Sequence, residues 1–457
     1  MMSEITPLER ARRTRRSGAG YLDLVASDFR GAGLHLPEEL YRRAWTRWRS
    51  APSYVPDARG DAAARTSVAA FLTEDGLPTE ADQVCLTAGS SISYSMIFRV
   101  LRERRTRQDR RDRQERTDRQ DHRRRAADTV ALPRPGYPLF EDLVRGAGLE
   151  PVTYDLPLHS GYSLDANAIR TVLLAARPLA LVLISPNNPT GAIYDDSSIA
   201  ELVRICGELE VPIISDEVFS AYRPADFRLP RPAAIADKSV YTELPRPAAI
   251  ADKSVDSPPL VFSLNGLSKL CAAPEIKLGW IAVHGSSGEV VDTLEALEME
   301  HDTYLTVSGY AEAACREFLA KTAADDRRVL AEGVRTRRKI TVDALSRVES
   351  LSIVGEGLSI VGEGETRRGG VHLVIRFDAE LCARSFGTVD DAVIAEVLVR
   401  TWGVYLHPGY LYGIDTRTTG TIDPFMVITC LNRPQTIVEG VDRLRHALRG
   451  SGVPGKG

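Results

Sequence analysis

The sequence predicts an α/β protein: a large three-layer domain on a mainly parallel sheet, followed by a smaller α/β domain. Three observations carry that expectation. Apolar runs such as Leu179–Ser185 and Val211–Asp216 are continuous rather than alternating, as in strands buried on both faces. A helical segment, Asp196–Leu209, separates those two runs in the rhythm of a parallel sheet. Finally, 43% hydrophobic and 26% charged residues over 457 positions supply a large core and exclude disorder throughout.

Taken in order, the elements fit this scheme. The N-terminus, MMSEITPLERARRTRRSGAG, has basic residues with no apolar segment behind them, so a secretory signal is not expected. A helical pattern over Ile92–Leu101 leads into an arginine-rich stretch, and a strand-like piece begins at Thr129. Further strands are expected in VFSLNGLSK and GWIAVHG, then helices over Val290–Ser346. Strands near VHLVIRF, GVYLHPG and FMVITCL and a closing helix, Pro434–Leu448, form the second α/β block. The expected division is residues 1–50 as a segment packing on the small domain, 51–300 as the large domain and 301–457 as the small one. The best apolar run, Thr171–Ser185, is broken by Arg177 and Pro178, so no membrane span is expected. Six scattered cysteines without a CxxC pair suit reduced thiols in a cytoplasmic enzyme and offer no zinc site.

Two features interrupt the pattern. Residues 102–125 hold twelve arginines against six acids, leaving 46 basic and 56 acidic residues elsewhere, a body near −10. A body that acidic argues against nucleic acid or an anionic membrane as partner, and the stretch is expected to be a solvated insert or charged helical extension. LPRPAAIADKSV occurs twice, at 229–240 and 244–255, and LSIVGEG twice, at 351–357 and 358–364. Both pairs are expected to be duplications lodged in surface loops, where added length costs little closure entropy.

Four segments carry chemistry. LTAGSSISYSM places Gly89, Ser90 and Ser91 at the start of a helix, where free N–H groups favour a phosphate; a plain serine cap looks the same. SPNNPTG sets Asn188 just beyond a buried strand, at the end where open α/β sheets bind ligands, though an Asn-Pro turn would also explain it. ISDEVFSAY ends a strand on Asp216, a carboxylate that needs a cationic partner if it is buried. In SLNGLSKLCAAPEIKLGW, Lys269 lies among small and apolar residues, where desolvation would lower its pKa and make it a nucleophile; a surface lysine is the plainer alternative.

In this order and spacing the four segments resemble the aminotransferase class I/II family, pyridoxal-phosphate enzymes of fold type I. The resemblance runs from about Tyr21 to Leu448 outside the insert and duplications. It implies a seven-stranded large-domain sheet and pyridoxal 5'-phosphate as cofactor. Lys269 would form the internal aldimine and later shuttle the proton at Cα. Asp216 would pair with the pyridinium nitrogen, Asn188 would bond the phenolic oxygen, and Tyr137 of PGYP would stack on the ring. Ser90 and Ser91 would cradle the phosphate, and Tyr54 of SYVPDARG would reach the phosphate of a neighbouring subunit in a homodimer. Arg30, Tyr410 and Tyr412 resemble substrate-side residues.

Four positions depart from the family pattern. Lys277 stands where an arginine usually grips the phosphate, keeping the charge and losing the bidentate fork. Phe219 replaces a tyrosine that contacts the phenolic oxygen, and Gly266 replaces a common phosphate-binding serine. Val427 occupies the place, thirteen residues before Gly440, of the arginine that clamps the substrate α-carboxylate. That clamp fixes which Cα bond is broken, so its loss bears on the reaction. The expected function is aminotransfer on an amino-acid-like substrate. The alternatives are decarboxylation, β- or γ-elimination or replacement, or carbon–carbon bond formation in specialised metabolism. A non-catalytic regulator is disfavoured, because Lys269 is retained and only about fifty residues precede the domain.

Overall fold

The computed structural model describes residues 5–18, 20–115, 128–236, 257–305, 307–354 and 368–450. The second copies of both repeats, and the arginine-rich stretch beyond Glu115, lie outside the described residues.

The chain opens with α1 (Pro7–Arg15), β1 (Leu22–Asp23), α2 (Glu38–Arg49) and α3 (Ala62–Glu74), then β2 (Val84–Thr87) and the long α4 (Ser90–Glu115). The alternating body follows: β3 (Thr129–Arg134), α5 (Phe140–Gly146), β4 (Glu150–Asp155), α6 (Ala166–Ala176), β5 (Leu181–Ile184), α7 (Asp196–Glu208) and β6 (Ile213–Asp216). After α8 (Pro232–Ile235) come β7 (Val261–Gly266), α9 (Leu267–Leu270) and β8 (Gly279–His284). Among the described residues these strands form a seven-stranded sheet in the order β2-β8-β7-β6-β5-β3-β4. It is parallel except for β8, which runs antiparallel to both neighbours.

The continuous apolar runs are explained by the two faces of this sheet. Val182, Ile184, Ile214 and Phe262 join one core layer with Ile97, Phe98 and Leu101 of α4. Leu181, Leu183, Ile213 and Trp280 join the opposite layer with Val68 and Leu72 of α3 and Leu202 of α7. Each such side chain contributes about 1.5–3 kcal/mol of burial. Asp195 starts α7 by accepting from the Ser198 amide at 2.8 Å, which places that helix directly after the turn that follows β5.

Three helices, α10 (Ser287–Asp302), α11 (Gly309–Phe318) and α12 (Ala324–Leu345), lead to β9 (Leu351–Ile353) and β10 (His372–Phe377). Then come α13 (Ala379–Phe386), α14 (Asp391–Val397), β11 (Val404–Tyr405), β12 (His407–Pro408), β13 (Phe425–Thr429) and α15 (Pro434–Leu448). The second sheet is antiparallel in the order β12-β13-β10-β9. β1 pairs in parallel with β11, and Leu8, Ala11 and Leu24 join the second core, so the N-terminal segment is built into this block.

One expectation needs correcting, and another is decided between its two forms. The first repeat copies are not surface loops. Leu229, Arg231 and Ala233 are buried, with Arg231 bonded to Glu217 and Asp75, and Leu351–Ile353 is strand β9. Apolar side chains at those positions found core to pack against. Of the two forms expected for the arginine-rich stretch, its described part is the charged helical extension, continuing α4 to Glu115. Arg102 donates to Ala147 O at 3.2 Å and Arg105 to Arg177 O at 2.9 Å, the residues that end α5 and α6. Cations there satisfy carbonyls left open at the negative ends of two helices.

Candidate active site

The carboxyl ends of β5, β6 and β7 open on one cavity of about 310 Å³. Its wall includes Gly89, Ser90, Ser91, Tyr137, Asn188, Asp216, Lys269 and Tyr412, drawn from segments more than 300 residues apart. Arg30, Tyr54, Lys277 and Tyr410 stand outside it. Arg30 is exposed, 3.2 Å from Glu275. Tyr54, 79% exposed, borders a separate shallow depression with Leu305 and Glu312. Lys277 is exposed and acts on the site through its charge. The Tyr410 amide is tied to Asp391 at 3.0 Å, and its ring does not line the cavity.

Each element delivers a group for a local reason. Ser90 and Ser91 open α4, whose first-turn amides have no carbonyl inside the helix to bond. Gly89 has φ +108°, and a Cβ on Gly279 would stand 3.0 Å from the Gly89 Cα, so this corner is built for close backbone approach. The Asn187 side chain accepts from Thr190 at 2.7 Å and fixes the turn, leaving Asn188 on the wall. Asn188 Oδ1 is buried with no partner among the described residues.

Asp216 ends β6, 6% exposed. It accepts from Tyr94 Oη at 2.9 Å and from the Val218 amide at 3.1 Å, and no cation among the described residues pairs with it. Burial pushes its carboxyl up to about 6. Lys269, on α9, is held below the ordinary lysine value, first by burial and then by Lys277. Its Nζ lies 5.6 Å over the Phe29 ring. A depressed lysine, a buried carboxylate lacking a cation, an asparagine whose amide N–H can donate and a helix start together fit pyridoxal phosphate. The first suits its aldehyde, the second its protonated ring nitrogen, the third its phenolic edge and the last its phosphate.

The wall residues that sequence reasoning missed include Tyr94, Ser268, His372 and His407. Tyr94 lies one turn after Ser90 on α4, a spacing that pointed to it. The histidines sit singly on β10 and β12, and no local pattern marks them. At the departures, Phe219 is buried edge-on to His372, with ring centroids 5.6 Å apart. A Cβ on Gly266 would meet Leu278 O at 2.7 Å, so no serine fits there without shifting the backbone. Val427 is fully buried, and no arginine lines the cavity among the described residues.

Fold and site thus define a pyridoxal-phosphate enzyme of fold type I. The family model for aminotransferases of class I and II matches residues 50–424, and the chain belongs to that family. It is 23% identical to a probable aspartate/prephenate aminotransferase of Aquifex aeolicus over 70% of each chain. It is 26% identical to an S-alkyl-thiohydroximate lyase of Arabidopsis thaliana over 59% of this chain and 49% of that one. A crystal structure of an Escherichia coli aminotransferase superposes with a TM-score of 0.74 over 97% of this chain and 95% of that one, at 20% identity, which shows the shared fold. Among the described residues, no helix is long and apolar enough to cross a membrane, and no cluster of side chains offers a metal site.

Proposed function

We propose that the chain is an aminotransferase acting on an amino-acid-like substrate. The observation that carries this reading is Lys269, depressed and half-buried in a wall it shares with Asp216 and Asn188. When bound, the cofactor supplies an electron-withdrawing ring that stabilises negative charge at the substrate Cα. Asp216 keeps the proton on the ring nitrogen, and Tyr94 holds Asp216 in place. Asn188 donates to the phenolic oxygen, Tyr137 covers the ring, and the amides of Ser90 and Ser91 with the Ser268 hydroxyl take the phosphate. Lys269 Nζ would take up and return the proton at the substrate Cα. The exposed Tyr54 supports a homodimer in which each subunit reaches the other's phosphate. Six buried, unpaired thiols support a cytoplasmic location.

A second reading, a lyase, is favoured by the absence of arginine from the wall among the described residues and by the lyase among the relatives. The deciding experiment incubates cofactor-loaded protein with amino donors and extracts the cofactor. Conversion to pyridoxamine phosphate with equimolar keto acid supports aminotransfer, and product release with unchanged cofactor supports the lyase. Lys269→Ala should lower either turnover by about 10³-fold or more. A variant that keeps its turnover would overturn both readings.

A further inference from the structure

The end of the cavity contributed by the second domain has an unusual wall. Val427 on β13 stands opposite Val374 on β10 and opposite His407 on β12, and His372 lies opposite Thr429 two residues along. Directly opposed residues share a sheet face, so both imidazoles rise beside Val427 on the face turned to the cavity. His407 Nδ1 lies 2.9 Å from Tyr412 Oη, which leaves Nε2 open. Neither ring nitrogen of His372 has a hydrogen-bond partner among the described residues. Phe219 and Tyr412 flank it through ring contacts at 5.6 and 6.4 Å.

We propose that His372 and His407 are specificity-determining residues that select amino-acid-like amines whose α-substituent is an uncharged amide, in preference to free α-carboxylates. The donor and acceptor inventory argues for this class. A carboxylate only accepts, and needs charged donors to offset its desolvation. An amide both donates and accepts, and a neutral imidazole carries one nitrogen of each kind. The surroundings keep the pair neutral. Burial, Lys269, His407 and Arg338, whose Nη1 bonds His372 O from behind β10 at 3.0 Å, oppose protonation of His372. Burial and Arg12 do the same for His407. Lys269 is the one lysine or arginine on the wall among the described residues, and the proposed chemistry engages it elsewhere.

The proposal rests on the cofactor reading above, and its test separates the two. Protein reconstituted with pyridoxal phosphate is titrated with matched pairs, phenylalanine against phenylalaninamide and alanine against alaninamide, at a pH above the histidine range. Half-saturation is read from the change in the absorption band of the bound cofactor. Each amide is expected to bind at least about tenfold more tightly than its acid. His372→Phe and His407→Phe should each remove most of that ratio while the cofactor band and the melting temperature stay near wild type. Val427→Arg should reverse it. Acids bound as tightly as amides, or a ratio untouched in both phenylalanine variants, would overturn the proposal while the cofactor reading stands. A protein that develops no cofactor band would overturn both. Should Val427→Arg fail to fold, the two ring-for-ring variants still decide.

Discussion

At the scale of single residues, the price of the site is concentrated in Asp216. A carboxylate raised to about 6 by burial, with a tyrosine and an amide as its partners, opposes folding when ionised. The folded-state value lies above the unfolded one. The favourable contribution is therefore full below about pH 4 and is lost as pH rises through about 6, a change of roughly 3 kcal/mol at neutral pH. Asp216→Asn keeps the shape and removes the charge. In cofactor-free protein the variant should melt above wild type at neutral pH, and the gap should close on acidification towards pH 4. With cofactor present the order should invert, because only the carboxylate can pair with a protonated ring nitrogen. Paired melting curves across pH, with and without pyridoxal phosphate, check both signs. A gap independent of pH would mean that the Asp216 charge is not what the fold pays to keep.

At the scale of elements, the site depends on how closely β7, β8 and α9 approach one another. Gly266 lies in extended backbone, and the restriction on it is space: a side chain would press on Leu278 O and on the Gly279 Cα at 2.8 Å. Gly266→Ser restores a hydroxyl of the family pattern, yet overpacking should destabilise the protein by about 1–3 kcal/mol. Its denaturation midpoint should fall with no tighter hold on the cofactor; a tighter hold at unchanged stability would show that the strands yield. The strand end bearing Asp216 is braced from below. Glu217, 2% exposed, bonds Arg231 at 2.7 Å, and Arg231 also reaches Asp75 at the end of α3. Removing one partner strands a buried charge, so Arg231→Met should lower stability by about 3–5 kcal/mol in a denaturant titration. A double variant, Arg231→Met with Glu217→Gln, should recover part of the loss. This brace shows where the sequence misled: the repeat around Arg231 had the look of an insertion, and nothing local revealed that its first copy carries a buried cation.

At the scale of the whole molecule, legibility followed distance along the chain. Lys269, Asp216 and Asn188 were readable because each sits at a strand end marked by its own short motif, and the continuous runs foretold the two-faced sheet. His372 and His407 were not, because only the antiparallel pairing of β10, β13 and β12 brings them beside Val427. The motif of Tyr54 implies service to a neighbouring subunit, and in the structure Tyr54 is exposed and stands outside its own chain's cavity. The exposed Trp45 and Trp48 have ring centroids 4.9 Å apart, with Tyr310 edge-on to both, an apolar patch of the kind a partner covers. If Tyr54 serves the neighbouring site, the sites are hybrids, and two defects can be sorted between them. Lys269→Ala disables a subunit's own site, and Tyr54→Ala weakens its partner's. In a mixed dimer one site carries both defects and the other carries neither. Equal mixing after dissociation makes half the dimers mixed, each with one intact site, so turnover should return to about a quarter of wild type although each parent is poor. No recovery, with mixed dimers verified by two affinity tags, would place Tyr54 in the service of its own chain.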